Sequence, residues 1–122
     1  KTVESIKMAF DEFTRHRIEK IVGSFVESRR PPPHIRKELD LAFRLSGQKV
    51  EIFEVRPRWQ YPEEIMECPV AKATYVKTED LWKIYWMRQD LKWHSYPLLP
   101  QVETIDEFLE EVAADPSAFF WG

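Results

Sequence analysis

With 122 residues, 18 basic and 21 acidic side chains and a net charge of −3, the chain is too short to divide into two independently packed cores, so two domains are excluded. Its 43% of hydrophobic residues, with five Trp, four Tyr and eight Phe, suffice for one core and argue against intrinsic disorder. The single cysteine, Cys68, excludes an internal disulfide and a multi-cysteine zinc site, and without an apolar span or secretory pattern a cytoplasmic protein with no membrane partner is expected.

Residues 1–10 carry weak signals and are read as a frayed lead-in within which Met8 would serve as a natural start, leaving 11–122 as one domain. Asp11 offers an N-cap oxygen, and Phe13, Ile18, Ile21, Val22 and Phe25 recur at helical spacing, which predicts a helix over 12–29. Pro31, Pro32 and Pro33 stop it, because proline lacks the amide hydrogen.

Leu39, Leu41, Phe43 and Leu45 alternate with Glu38, Asp40, Ala42 and Arg44, the period of a strand with one buried face. With Gly47 and Gln48 as a two-residue loop, Leu45 faces Val50 and Phe43 faces Ile52, while Arg44 falls opposite Glu51 as an ion pair and Ala42 opposite Phe53. The stretch from Pro57 to Glu67 reads as a long surface connection. A second hairpin, turning through Lys77 to Asp80, puts Pro69, Ala71, Ala73 and Tyr75 on one face with Trp82, Ile84 and Trp86. Gln89 and Asp90 then turn the chain into a short strand over 91–96, with Trp93 opposite Trp86 and His94 opposite Tyr85.

Thr104 and Glu107 form a capping box ahead of Ile105, Phe108, Leu109 and Val112 at helical spacing, and Asp115 and Pro116 end that helix. The tail Phe119, Phe120 and Trp121 is expected to pack on the sheet or against a partner. The fold class is therefore α+β: an N-terminal amphipathic helix, a four- or five-stranded antiparallel meander and a C-terminal helix. Trp86→Ala is the expected worst core lesion.

Glu54 and Arg56 continue the apolar row of Val50 and Ile52, opposite Leu41 and Leu39, and charge on such a row must be paired or must line a cleft. The functional reading is a pocket floor with Glu54 as acid, base or ligand and Arg56 as anion clamp; the structural reading, an ion pair at the sheet end, is preferred. Asp40 followed by Glu54-Val55-Arg56 loosely echoes metal-dependent endonucleases, but arginine cannot act as lysine does and the register sends Asp40 and Glu54 to opposite faces. His94, beside Arg88, Asp90 and Lys92, is the best single histidine for acid–base work, against a simpler role packed on Tyr85. Cys68 reads as a buried thiol. No phosphate loop, nucleophile elbow or metal-binding pair occurs, and neither metal nor cofactor is expected.

Charge is uneven along the chain. Arg29, Arg30, Arg36 and Lys37 make a basic stretch, to which Arg56 and Arg58 add beside Trp59, whereas residues 103–115 carry six acids and no base. One reading is a basic, aromatic-lined surface with Trp59 or Trp93 as stacking platform; the other is pairing of the acidic helix with the basic loop, within one molecule or between copies.

The stretches Phe53-Glu54-Val55-Arg56-Pro57-Arg58-Trp59, Pro69-Val70-Ala71-Lys72, Tyr85-Trp86-Met87-Arg88 and Asp90-Leu91-Lys92-Trp93-His94 resemble the Domain of Unknown Function 3024 family of small bacterial proteins. The resemblance runs from about Arg17 to Gly122 and implies a stand-alone bacterial cytoplasmic domain with no established activity. The expected function is a non-enzymatic binding or protein-interaction module using Arg29, Arg30, Arg36 and Lys37 with ligand-binding Arg56, Arg58, Trp59, Arg88 and Trp93. Self-association is one expected partnership and nucleic acid a lesser one. The alternative is a small enzyme, a metal-dependent nuclease-like hydrolase among its forms, with Glu54, Arg56, Arg88 and His94 in one pocket.

Overall fold

A computed structural model describes residues 10–122, so the expected lead-in, Phe10 apart, lies outside the described residues. Helix α1 (Glu12–Arg29) precedes β1 (Asp40–Ser46), β2 (Lys49–Pro57), β3 (Ile65–Val76), β4 (Leu81–Met87), β5 (Trp93–Ser95) and the two-residue β6 (Gln101–Val102), and α2 (Ile105–Ala114) follows. Strands β1 to β5 form an antiparallel meander in chain order, and β6 adds to β4. No helix among the described residues is long and apolar enough to cross a membrane.

Local chemistry accounts for most boundaries. The Asp11 carboxylate accepts the Thr14 N–H at 2.7 Å and starts α1, which buries Ile18, Val22 and Val26 but leaves Phe13 in solvent. Gly47 takes φ of 60° at the first turn position, so the β1–β2 register is the expected one, with Leu45 opposite Val50, Phe43 opposite Ile52 and Arg44 3.5 Å from Glu51. The second hairpin also turns through Lys77 to Asp80, pairing Tyr75 with Trp82, Ala73 with Ile84 and Ala71 with Trp86. Thr104 and Glu107 form the reciprocal capping box, and Asp115 ends α2 in the left-handed region.

Three expectations are corrected. Strand β3 begins at Ile65 and pairs with β2 out to Pro57, so the surface connection shrinks to residues 58–64. The β2–β3 register slips so that Ile52 faces Ala71 but Phe53 faces Pro69, which leaves Val70 as a bulge. A bulge breaks the alternation of faces, so Val70 and Ala71 are both buried and Pro69 turns to solvent, away from Ala71 and Ala73. Finally, β4 and β5 are joined by five residues, Arg88 to Lys92, with Leu91 at φ of 61°. Trp86 therefore faces His94, and Trp93 faces Met87. A slip of one residue exchanges faces, which sends Trp93 to the outer side of the sheet and Tyr96 into the core.

The helices cover one face only. Leu41, Leu45, Val50, Ile52, Ala71, Ala73, Trp82, Ile84 and Tyr96 meet Val22 of α1 and Phe108, Leu109 and Val112 of α2 in a single cluster. The tail closes that layer at the sheet end: Phe120 is buried with its ring 4.6 Å from Tyr96, and Phe119 lies 4.3 Å from Trp86. Trp86 is only partly buried, whereas Tyr96 and Phe108 are fully enclosed, so the most damaging truncation moves from Trp86 to Phe108.

Candidate functional site

Glu54 and Arg56 answer each other. The Arg56 Nη2 donates to Glu54 Oε1 at 2.6 Å and its Nε at 3.2 Å, and this hydrogen bond holds the guanidinium pKa above its ordinary value. The pair lies where β2 outruns β1, whose last partner on β2 is Val55. A shallow groove of about 200 Å³ touches Glu54 together with Leu39, Asp40 and Trp121. Asp40 is occupied as well: Arg30 clamps both its oxygens at 2.9 Å, and among the described residues no group of three metal-ligating side chains forms.

The Arg30 hydrogen bonds hold the Asp40 carboxyl below its ordinary 3.8. A lowered folded-state pKa stabilises the fold fully above the unfolded value and loses that contribution as pH falls through the folded one. Asp40→Asn is thus expected to lower the urea midpoint at pH 7, with the difference from wild type vanishing below the lowered pKa; a difference independent of pH would mean that the charge plays no part.

At the far side of the sheet, His94 Nε2 lies 2.8 Å from Asp90 Oδ2, and that contact is the first cause of a lowered Asp90 pKa. Arg88 sits 5.8 Å over the Trp86 ring and lines a depression of about 500 Å³ with Asp90 and Phe119. Glu54 and Arg88 thus border separate depressions, and the structure does not bring Glu54, Arg56, Arg88 and His94 into one cavity.

Most of the basic stretch that runs from the last residue of α1 braces the fold. Arg29 stacks 4.7 Å over Trp121, Arg30 holds Asp40, and Arg36 donates to the Pro31 carbonyl at 2.9 Å; Lys37 is exposed. The other basic-aromatic cluster stands out from the body. Before Ala71 β3 has no β4 partner, and beyond Val55 β2 has no β1 partner, so Arg56 and Pro57 pair with Met66 and Ile65 alone and, with the loop between them, form a short two-stranded arm. Its loop carries Arg58, 3.5 Å from Glu64, and Trp59, 88% exposed, with Tyr61, Ile65 and Met66 also in solvent. Cys68, partly buried, lies opposite Glu54 at its base.

Two features escape a strand-by-strand reading. A cavity of about 400 Å³ opens over the rings of Phe10, Tyr75 and Trp82, between the N-termini of α1 and α2; the Tyr75 hydroxyl donates to Asp80 at 2.5 Å, which raises the phenol pKa. It is built from segments distant in sequence, so no local motif announces it. The outer sheet face gathers Lys49, Lys72 and Lys83 around Tyr85 and Trp93; superimposing the two hairpin registers is the signal that finds it.

A model of the family described as a domain of unknown function, DUF3024, matches residues 10–122. None of the curated proteins and none of the solved structures matches the chain.

Proposed function

The chain belongs to the DUF3024 family, whose description assigns no activity, and from that premise we propose that it is a non-enzymatic protein-interaction module whose contact surface is the β2–β3 arm. The observation that carries this reading is Trp59, 88% exposed in the loop at the arm's tip, with Tyr61, Ile65 and Met66 of the same segment also exposed. Water disfavours so much exposed apolar surface in one short segment, and Trp, Tyr and Arg are the residue types that dominate binding energy at protein interfaces. Paired backbone anchors the arm to the sheet, so Trp59 is presented near a fixed frame and little ordering is needed on binding.

Charge narrows the partner. Glu54, Glu63, Glu64 and Glu67 outnumber Arg56 and Arg58 over the arm, and each arginine has a glutamate within reach. A protein surface with an apolar pocket rimmed by basic side chains fits this tip, whereas a phosphate backbone does not. The lone thiol, Cys68, suits a reducing compartment, and the bacterial cytoplasm is the proposed setting.

A photo-crosslinking residue at position 59, introduced in the native host, is expected to trap a discrete protein. Trp59→Ser with Tyr61→Ser should weaken capture of that protein at least tenfold while leaving the urea midpoint unchanged, since both side chains are exposed. Undiminished capture by the folded double variant would overturn the reading.

A further inference from the structure

We infer that the helix-free face of the sheet is a binding site for single-stranded nucleic acid. The site is independent of the arm and of the protein partner assigned to it. The strand registers lay out its rows: Ser46, Lys49, Thr74, Lys83 and Gln101 run across one, and Arg44, Glu51, Lys72, Tyr85 and Ser95 across the next, with Met87 and Trp93 in a third.

Three lysines on three neighbouring strands fall within two adjacent rows. Among the described residues none of their ammonium groups lies within ion-pair distance of a carboxylate. Glu51, the one acid in those rows, lies opposite Lys72 and 3.5 Å from Arg44, whose shorter bonds go to Glu67. The crowding is felt at Lys72, whose ammonium is disfavoured first by burial and then by Lys49, with Glu51 offsetting part of this. An anion laid along these rows relieves that repulsion.

The aromatic component is at the same place. The Lys72 ammonium stands 4.8 Å over the Tyr85 ring and 5.0 Å over Trp93, so a cation already occupies the ring faces where a base would stack. A base displacing it gains the stacking surface and releases the ammonium to a phosphate. This pairing of backbone cations with ring platforms is what sequence-tolerant single-strand binding requires. The net charge of −3 does not oppose it, because the six acids of residues 103–115 belong to α2 and its flanks, in the helical layer behind the sheet. An open sheet also suits a single strand better than a duplex, since no element stands proud of it to enter a groove.

Fluorescence anisotropy of the full chain with labelled 12-nucleotide dT and U strands, a duplex of equal length and heparin tests the site. Binding of both single strands is expected, falling with salt at a slope of about −2 on logarithmic axes, roughly 0.7 for each of three lysines. Lys72→Gln with Lys83→Gln should weaken binding at least tenfold and cut the slope to about −0.7. Trp93→Leu should weaken it at least fivefold, and Trp59→Ser with Tyr61→Ser should leave it unchanged. Dissociation constants no tighter than millimolar at 20 mM salt would overturn the inference. So would heparin or duplex bound as tightly as the single strands, or full affinity in the lysine double variant with an unchanged urea midpoint.

Discussion

Phe108→Ala is expected to destabilise the fold by about 3–5 kcal/mol, the largest loss from any single side-chain truncation here. Its ring is completely enclosed, and it hangs from a helix whose start is fixed by the capping box, so the surrounding layer cannot follow the vacated volume without dragging α2. Trp86→Ala is larger in atoms removed but should cost less, about 1–3 kcal/mol, because Trp86 is only partly buried and packs on the tail residue Phe119, outside any helix or strand. Urea titration of both variants at pH 7 decides the order. A greater loss for Trp86 would mean that the sheet end, and not the α2 interface, is the tighter part of the core.

That reversal shows where legibility in the sequence ended. Turn and cap chemistry is local, so Gly47, the loop from Lys77 to Asp80, Asp11 and the pair Thr104 and Glu107 announced two registers and two helix starts. The bulge at Val70 and the positive φ of Leu91 are also local in space, but no residue type there signals them: valine and leucine favour neither geometry. One extra residue before β5 exchanges Trp93 for His94 opposite Trp86 and turns Tyr96 inward, the most deeply enclosed aromatic beside Phe108.

The charged residues follow the same logic. Glu54 and Arg56 were legible as an anomaly because they share a strand row, and their mutual hydrogen bond is the structural outcome preferred from the row alone. The partners of Arg30 and Arg44 were less accessible, since Asp40 lies 10 positions away and Glu67 lies 23 positions away across a bulged pair of strands. Those long-range clamps convert much of the apparent basic surface into bracing. What remains cationic is the lysine group on the outer face, three ammonium groups with Glu51 as the one acid in their rows, visible only when both hairpin registers are laid side by side.

Asp115→Ala is expected to cost about 2–4 kcal/mol and to release the C-terminal tail. The Asp115 Oδ1 accepts the Phe120 N–H at 3.1 Å and Oδ2 accepts the Trp121 N–H at 2.9 Å, so one carboxylate satisfies two consecutive amides of a segment outside any helix or strand. Hydrogen bonds to a charged acceptor contribute about 1.5–3 kcal/mol each, less where water can replace them. The backbone adds to the loss: Asp115 sits at φ of 38°, where alanine is less tolerated than aspartate. Once those amides let go, Phe120 leaves Tyr96, Trp121 gives up its bond to the Val112 carbonyl, and Arg29 loses the ring beneath it. Hydrogen exchange at the Phe120 and Trp121 amides should accelerate well before global unfolding, alongside a lower urea midpoint. Asp115→Gly separates the two causes, because glycine relieves the left-handed strain while still removing both acceptors. If it matches wild type in stability and amide protection, burial of Phe120 alone holds the tail; if it falls nearly as far as alanine, the carboxylate is the clamp.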